Sequence, residues 1–228
     1  MLLTYDYNKL CVIIIYYINN FIIYEQEEHE MIITIANIKG GVGKSTTCLG
    51  LASSISFEEK QNVTVFDADP QGTVTEWFYT AADLDEPFNF SIMSANVATL
   101  MRIEDKADCV FLIDCPPSGK VMDVAVDVAD LVIVPTSSSP ADLAKMWETV
   151  STLKSNGKEY SILLTKVESN TLSYKSAISE FEENKVQYFK NVIPKREAIS
   201  TMFGHSFDTS NLFGYQEVWN EIKGQYGE

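Results

Sequence analysis

One stretch limits what this chain can fold into more than any other. The β-branched run Ile32-Ile33-Thr34-Ile35-Ala36-Asn37 passes directly into Ile38-Lys39-Gly40-Gly41-Val42-Gly43-Lys44-Ser45-Thr46. Glycines let a backbone turn tightly and aim its N–H groups at phosphate oxygens, and a helix starting after them adds its positive N-terminus. Lys44 is placed for the β- and γ-phosphates of a nucleotide and the Ser45 hydroxyl for Mg²⁺. Thr46, one step into the helix, is the hydroxyl for the α-phosphate. A strand, three glycines, Gly-Lys-Ser and a helix in this order are poorly explained by an ordinary glycine-rich turn. The usual GxxxxGK[ST] spacing wants glycine at 38, where Ile38 stands, and Lys39 is a second cation that Lys44 makes redundant for the chain's own phosphates.

The rest of the chain alternates apolar, β-branched runs with helical spacing. Strands are expected at Ile32–Asn37, Val63–Asp67, Phe88–Ile92, Asp108–Asp114, Leu131–Pro135, Ser161–Thr165 and Val186–Phe189. Helices are expected at Lys44–Ser56, Ala95–Glu104, Ala141–Leu153, Tyr174–Glu183 and across 214–223. Near-continuous apolar strands such as Cys109–Ile113 suit a parallel sheet covered on both faces. The expected fold is therefore α/β: a doubly wound, mostly parallel sheet with helices on both faces.

Two of the expected strands end in carboxylates, at the edge where open α/β sheets place their ligands. Val63-Thr64-Val65-Phe66-Asp67-Ala68-Asp69-Pro70-Gln71-Gly72 carries two, and Pro70 predicts a turn directly after Asp69. Val110-Phe111-Leu112-Ile113-Asp114-Cys115-Pro116-Pro117-Ser118 carries one, and Asp114 fits the role of holding Mg²⁺ through water.

KGGVGKST with its additional lysine resembles the deviant Walker A signature of the ParA/MinD ATPases, a P-loop NTPase family. The DADPQG and DCPPS sequences resemble that family's second and third motifs, and the likeness runs from Met31 to the C-terminus. It implies ATP and Mg²⁺ as cofactors and an ATP-dependent homodimer in which Lys39 acts across the interface on the partner's phosphates. It further implies that Asp69 positions the attacking water near Mg²⁺, that Asp67 is more structural, and that Thr165, Lys166 and Pro194 contact the adenine. Catalytic roles then fall to Lys39, Lys44 and Asp69, with Gly40, Gly41, Val42, Gly43, Ser45 and Thr46 on the phosphates and Ser45, Asp69 and Asp114 around the metal. No histidine or arginine sits in these motifs, so weak, mainly electrostatic hydrolysis is expected, suited to a timer.

Composition narrows the branch. Four cysteines without CxxC or Cys/His spacing argue against a disulfide framework, a zinc site or a cluster-bridging iron protein, and Cys48 and Cys109 read as core residues of a reduced, cytoplasmic protein. A MinD-like membrane helix wants a basic amphipathic C-terminus, and Tyr215–Glu228 carries three Glu and one Lys, so no membrane is expected as a partner. A tyrosine-kinase branch wants a tyrosine cluster in the tail, which Tyr215 and Tyr226 do not make. TVTEWFYTA and Val192-Ile193-Pro194-Lys195-Arg196 resemble the small plasmid-partition type. That type implies non-specific DNA binding by the ATP dimer, a small centromere-binding (ParB-like) partner that stimulates hydrolysis, and association with the nucleoid.

The net charge of −15 opposes a uniformly basic DNA-binding surface, but it is uneven. Residues 1–144 hold 7 Lys+Arg and 21 Asp+Glu, and residues 145–228 hold 10 and 11, so Lys175, Lys190, Lys195 and Arg196 are the candidate DNA contacts. Two further readings use the same switch: positioning of a non-DNA protein cargo, and a low-turnover nucleotide-binding adaptor. Residues 1–30, with 6 Ile, 5 Tyr and no Gly, Pro, Ala, Ser or Arg, read as an atypical extension ahead of an ATPase domain at 31–228. Their apolar run is interrupted by Asn19-Asn20 and is short for a membrane span of roughly 20 residues.

Overall fold

A computed structural model describes residues 17–18, 21–22, 31–58, 62–103 and 109–226. The expected extension at 1–30 lies outside the described residues, apart from an antiparallel pairing of β1 (Tyr17–Ile18) with β2 (Phe21–Ile22). The main chain then runs through β3 (Met31–Ile35), α1 (Lys44–Ser56), β4 (Asn62–Asp67), α2 (Thr73–Asp83), β5 (Ser91–Ser94), α3 (Val97–Leu100), β6 (Cys109–Asp114) and α4 (Lys120–Val128). It continues through β7 (Leu131–Thr136), α5 (Pro140–Ser155), β8 (Tyr160–Leu164), α6 (Leu172–Glu183), α7 (Glu197–Ser200) and α8 (Tyr215–Tyr226).

Strands β3 to β8 form one sheet in the order β5-β4-β6-β3-β7-β8, and every pairing in it is parallel. The alternation of side chains along each strand splits the core in two. Ile33, Ile35, Val65, Leu112 and Ile133 face one layer with α1, α2 and α8, while Phe111, Ile113, Val132, Val134 and Ile162 face the other with α4, α5 and α6. Because both faces are covered, β6 and β7 are buried along their whole length. This is the doubly wound arrangement that the apolar strand pattern predicts.

Several elements differ from expectation for local reasons. Phe88 and Phe90 belong to no strand; they pack against Phe78 of α2 with ring centroids 5.7 Å away in each case, and the edge strand starts only at Ser91. The stretch Val186–Phe189 contributes one bridge, Ile162 to Tyr188, rather than a strand. The helix expected at Ala95–Glu104 is a single turn, α3, capped by the Asn96 side chain, and Glu104 lies outside the described residues. Helices α2 and α4 fall in stretches for which the periodicity predicts no element. The β-branched content of α4 masks its helical spacing, and α2 takes its start from the turn at Pro70–Gly72.

Helix α8 docks directly onto α1. Gly50 lies against the Tyr215 ring, where a Cβ would come within 2.2 Å of a ring carbon. Tyr215 is fully buried there, its hydroxyl 3.4 Å from that of Thr47, and burial pushes its pKa well up.

Candidate nucleotide-binding site

The loop between β3 and α1 turns on two glycines with left-handed backbones, Gly41 (φ 75°) and Gly43 (φ 94°), and Gly43 caps the helix. Either position would strain a residue with a Cβ. Asn37, at the end of the strand run, braces the loop from beneath: its Oδ1 accepts from Lys39 N–H at 2.9 Å, and its Nδ2 donates to Pro135 O at 2.9 Å. Asn37 is a functional residue that sequence reasoning missed. Its signal was a polar side chain closing an apolar strand. Lys44 is buried, and its Nζ lies back over the loop, 3.4 Å from Lys39 O.

Beneath the loop two carboxylates meet. Asp67 and Asp114 are register partners at the ends of the adjacent strands β4 and β6, and both are buried. Ser45 Oγ donates to Asp114 Oδ2 at 2.7 Å. Asp67 Oδ2 accepts from Thr75 N–H at 2.8 Å and from Thr75 Oγ1 at 2.6 Å, which ties the start of α2 to β4 and gives Asp67 a structural task. The other oxygen of each carboxylate, Asp67 Oδ1 and Asp114 Oδ1, is buried without a partner among the described residues. Burial pushes the Asp114 carboxyl up to about 7; the Ser45 hydrogen bond and Lys44 oppose the rise, and the negative charges of Asp67 and Asp69 add to it. Unpaired carboxylate oxygens beside a serine hydroxyl are the donors that a hard divalent cation selects, so the residues present fit Mg²⁺.

Asp69 sits at the turn expected after β4. Its carbonyl accepts from Gly72 N–H and its Oδ1 from Gln71 N–H, each at 2.9 Å. One cleft of about 1010 Å³ is lined by Gly40, Gly41, Gly43, Lys44, Ser45 and Thr46, by Asp69, and by Thr165, Lys166 and Pro194. That volume is ample for a nucleotide triphosphate. Val42 points into the core, Asp114 lies below Ser45, and Lys39 stands half-buried outside the cleft lining. Ser137, Ser138 and Phe203 also line the cleft although no motif singled them out, and so does Trp77 of the TVTEWFYTA stretch.

The late residues, expected at the adenine or on DNA, make several contacts. Thr165 Oγ1 donates to Val42 O at 2.9 Å and Lys166 Nζ to Gly41 O at 2.7 Å, so both grip the phosphate loop. Lys195 and Arg196 line the cleft, and Lys195 pairs with Glu168. Lys190 lies 4.0 Å over the Tyr188 ring and donates to its hydroxyl at 2.7 Å, a contact that raises the lysine pKa. Lys175 is exposed on α6. Cys115, next to Asp114, donates to Ile35 O at 3.2 Å and is held protonated by burial; with Cys48 and Cys109 it belongs to the core.

The family model described as the CobQ/CobB/MinD/ParA nucleotide binding domain matches residues 33–206. The chain belongs to this family. Among curated relatives, a maintenance of carboxysome distribution protein A from Gloeobacter kilaueensis is 33% identical over 149 residues, covering 62% of this chain. The match spans 65% of that relative's length. The chromosome partitioning protein ParA of Myxococcus xanthus is 25% identical over 218 residues, covering 74% of this chain and 77% of its own. Among solved structures, the septum site-determining protein MinD of Pyrococcus horikoshii complexed with Mg-ADP superposes with a TM-score of 0.65 at 18% identity, covering 86% of this chain and 98% of that one. The family's fold is the one described above.

Proposed function

We propose that this chain is an ATP-driven switch that distributes a cargo, binding Mg-ATP in the cleft, pairing with a second copy and hydrolysing slowly. The observation that carries the reading is the Ser45–Asp114 hydrogen bond beneath a glycine loop, with Asp69 lining the same cleft. In this scheme loop N–H groups and Lys44 hold the phosphates, and Ser45 and Asp114 hold the metal. Asp69 orients the water. Mg²⁺ supplies neutralisation of the β- and γ-oxygens. Lys39, outside the lining of its own cleft, is free to serve the phosphates of a facing copy. Thr165, Lys166 and Pro194 complete the nucleotide wall.

The cargo reading follows the relatives. Those named for carboxysome distribution favour positioning of a protein assembly. The relative named for chromosome partitioning keeps a second reading in view, in which the ATP dimer binds DNA non-specifically at the nucleoid and a ParB-like partner triggers hydrolysis. Among the described residues no helix is long and apolar enough to cross a membrane.

Light scattering and gel shift with ATP or ADP test the switch. ATP alone is expected to give dimers, and Lys44→Ala is expected to weaken nucleotide binding at least about 100-fold. Absence of any ATP dependence in dimerisation overturns the reading. Salt-sensitive binding of arbitrary duplex DNA by the ATP form alone selects the partition reading; dimerisation without DNA binding selects the protein-cargo reading.

A further inference from the structure

The contacts made by Thr165 and Lys166 have a different chemistry from base recognition. A loop that binds an anion through its N–H groups must turn its carbonyls away, and glycine-flanked peptide planes flip easily. Gly41 O and Val42 O are consecutive carbonyls of that loop, and each is taken by a side chain from the end of β8. The Thr165 hydroxyl is buried and reaches Thr136 O at 3.3 Å as well.

The backbone is shaped for this reach. Lys166 has a left-handed backbone, φ 54°, which a lysine rarely adopts. Of the other described non-glycine residues with positive φ, Asp85 and Lys185 follow helix ends and Phe213 precedes Gly214, whereas Lys166 stands directly beyond a strand. Its neighbours are pinned on both sides, Thr165 N–H to Thr136 O at 2.7 Å and Val167 N–H to Ile193 O at 3.0 Å. Strain held by such over-determination marks a functional constraint. With this backbone the side chain reaches the loop, its Nζ on Gly41 O.

We infer that Thr165 and Lys166 are positioning residues for the phosphate loop, locking the Gly41 and Val42 peptide planes so that the following N–H groups face the anion. The inference rests on the cleft being a nucleotide site, and it separates these two residues from reading the base.

The test is isothermal titration of wild-type protein and of Lys166→Met with two probes, Mg-ATP and magnesium tripolyphosphate, which carries phosphates but no base. Lys166→Met is expected to weaken both by about tenfold, leaving the ratio of the two affinities unchanged, and Lys166→Arg is expected to restore most of the loss. Thr165→Val is expected to act in the same way, with Thr165→Ser close to wild type. Loss of ATP binding with tripolyphosphate binding intact overturns the inference in favour of a base contact and leaves the nucleotide reading standing. Unchanged affinity for both probes overturns it as well. A wild-type protein that binds neither probe removes the nucleotide reading and the inference together.

Discussion

On the phosphate-loop wall of the cleft and beneath it, the loop and two strand ends deliver Lys44, Asp67 and Asp114 at 8%, 4% and 1% exposure, the two carboxylates held by bonds of 2.8 Å from Thr75 N–H and 2.7 Å from Ser45 Oγ. The opposite wall presents Lys195 and Glu168 with 64% and 54% of their side chains exposed, next to the four-residue helix α7. On the first wall desolvation acts on Asp114 and raises its carboxyl to about 7. The second is governed by water, which screens its charges and lowers the worth of each pair. Under the proposed function, the first wall carries the chemistry and the second an adjustable attraction.

The largest test of that contrast is pH. Asp114 is raised to about 7 in the folded protein from an ordinary value near 3.8, so the folded chain binds more protons than the unfolded chain between those two values. Stability of the metal-free protein should therefore fall as pH rises through that window, by about 4 kcal/mol once Asp114 is fully ionised. Below pH about 4 both states hold the proton and the penalty is absent. Urea midpoints measured from pH 4 to 8 with chelator check this, and Asp114→Asn should flatten the slope. Mg²⁺ should recover stability most at the alkaline end, since the cation favours the ionised carboxylate. A wild-type slope no steeper than that of Asp114→Asn breaks the claim that burial raises the Asp114 carboxyl.

Asp69 is the intermediate case, lining the same cleft and bonded within its own turn. Asp69→Ala should lower ATP turnover by about 100-fold while ATP affinity stays within about twofold, the signature of a group needed only in the transition state. Single-turnover rates and titration of ATP measure the two separately. Equal loss of both would place Asp69 in ground-state binding.

Gly50 tests the support behind the phosphate wall. A methyl there would meet the Tyr215 ring at 2.2 Å, and the alternative is movement of α8. Overpacking of this kind costs about 1–3 kcal/mol, and the better helix propensity of alanine recovers at most about 1 kcal/mol. Gly50→Ala should lose about 2 kcal/mol of stability in urea titration, with easier proteolysis of the C-terminal helix. Full retention of stability would show that α8 is not needed to hold α1.

Legibility in the sequence follows the same division. The phosphate loop is built from contiguous residues, so the spacing from Ile32 to Thr46 is legible, and Asp67, Asp69 and Asp114 are legible as carboxylates closing apolar runs. The parallel sheet was legible because strands covered on both faces must be apolar throughout. Asn37 was not, because its work is done by a bond to Pro135, 98 residues away. The other wall is assembled from separate loops, and no spacing states that Lys166 will meet Gly41 or that Lys195 will face Glu168. Phe88 and Phe90 misled for a related reason: aromatic alternation suits a strand, but three rings found a better arrangement against one another.

The smallest expected effect lies on the exposed wall, and salt is what sharpens it. Lys195→Ala breaks the pair with Glu168, but both partners are more than half exposed, so stability should change by less than about 0.5 kcal/mol. The cation's value would instead lie in attraction. Lys195 and Arg196 line the same cleft as the phosphate loop, so removing both should slow nucleotide association about twofold at low ionic strength. At 0.5 M salt, where the screening length is only about 4–5 Å, the difference should vanish. Stopped-flow association with a fluorescent ATP analogue at the two salt concentrations reads this directly. A loss that persists in high salt would mean a direct contact between these residues and the bound nucleotide, and the exposed wall would then share the buried wall's chemistry.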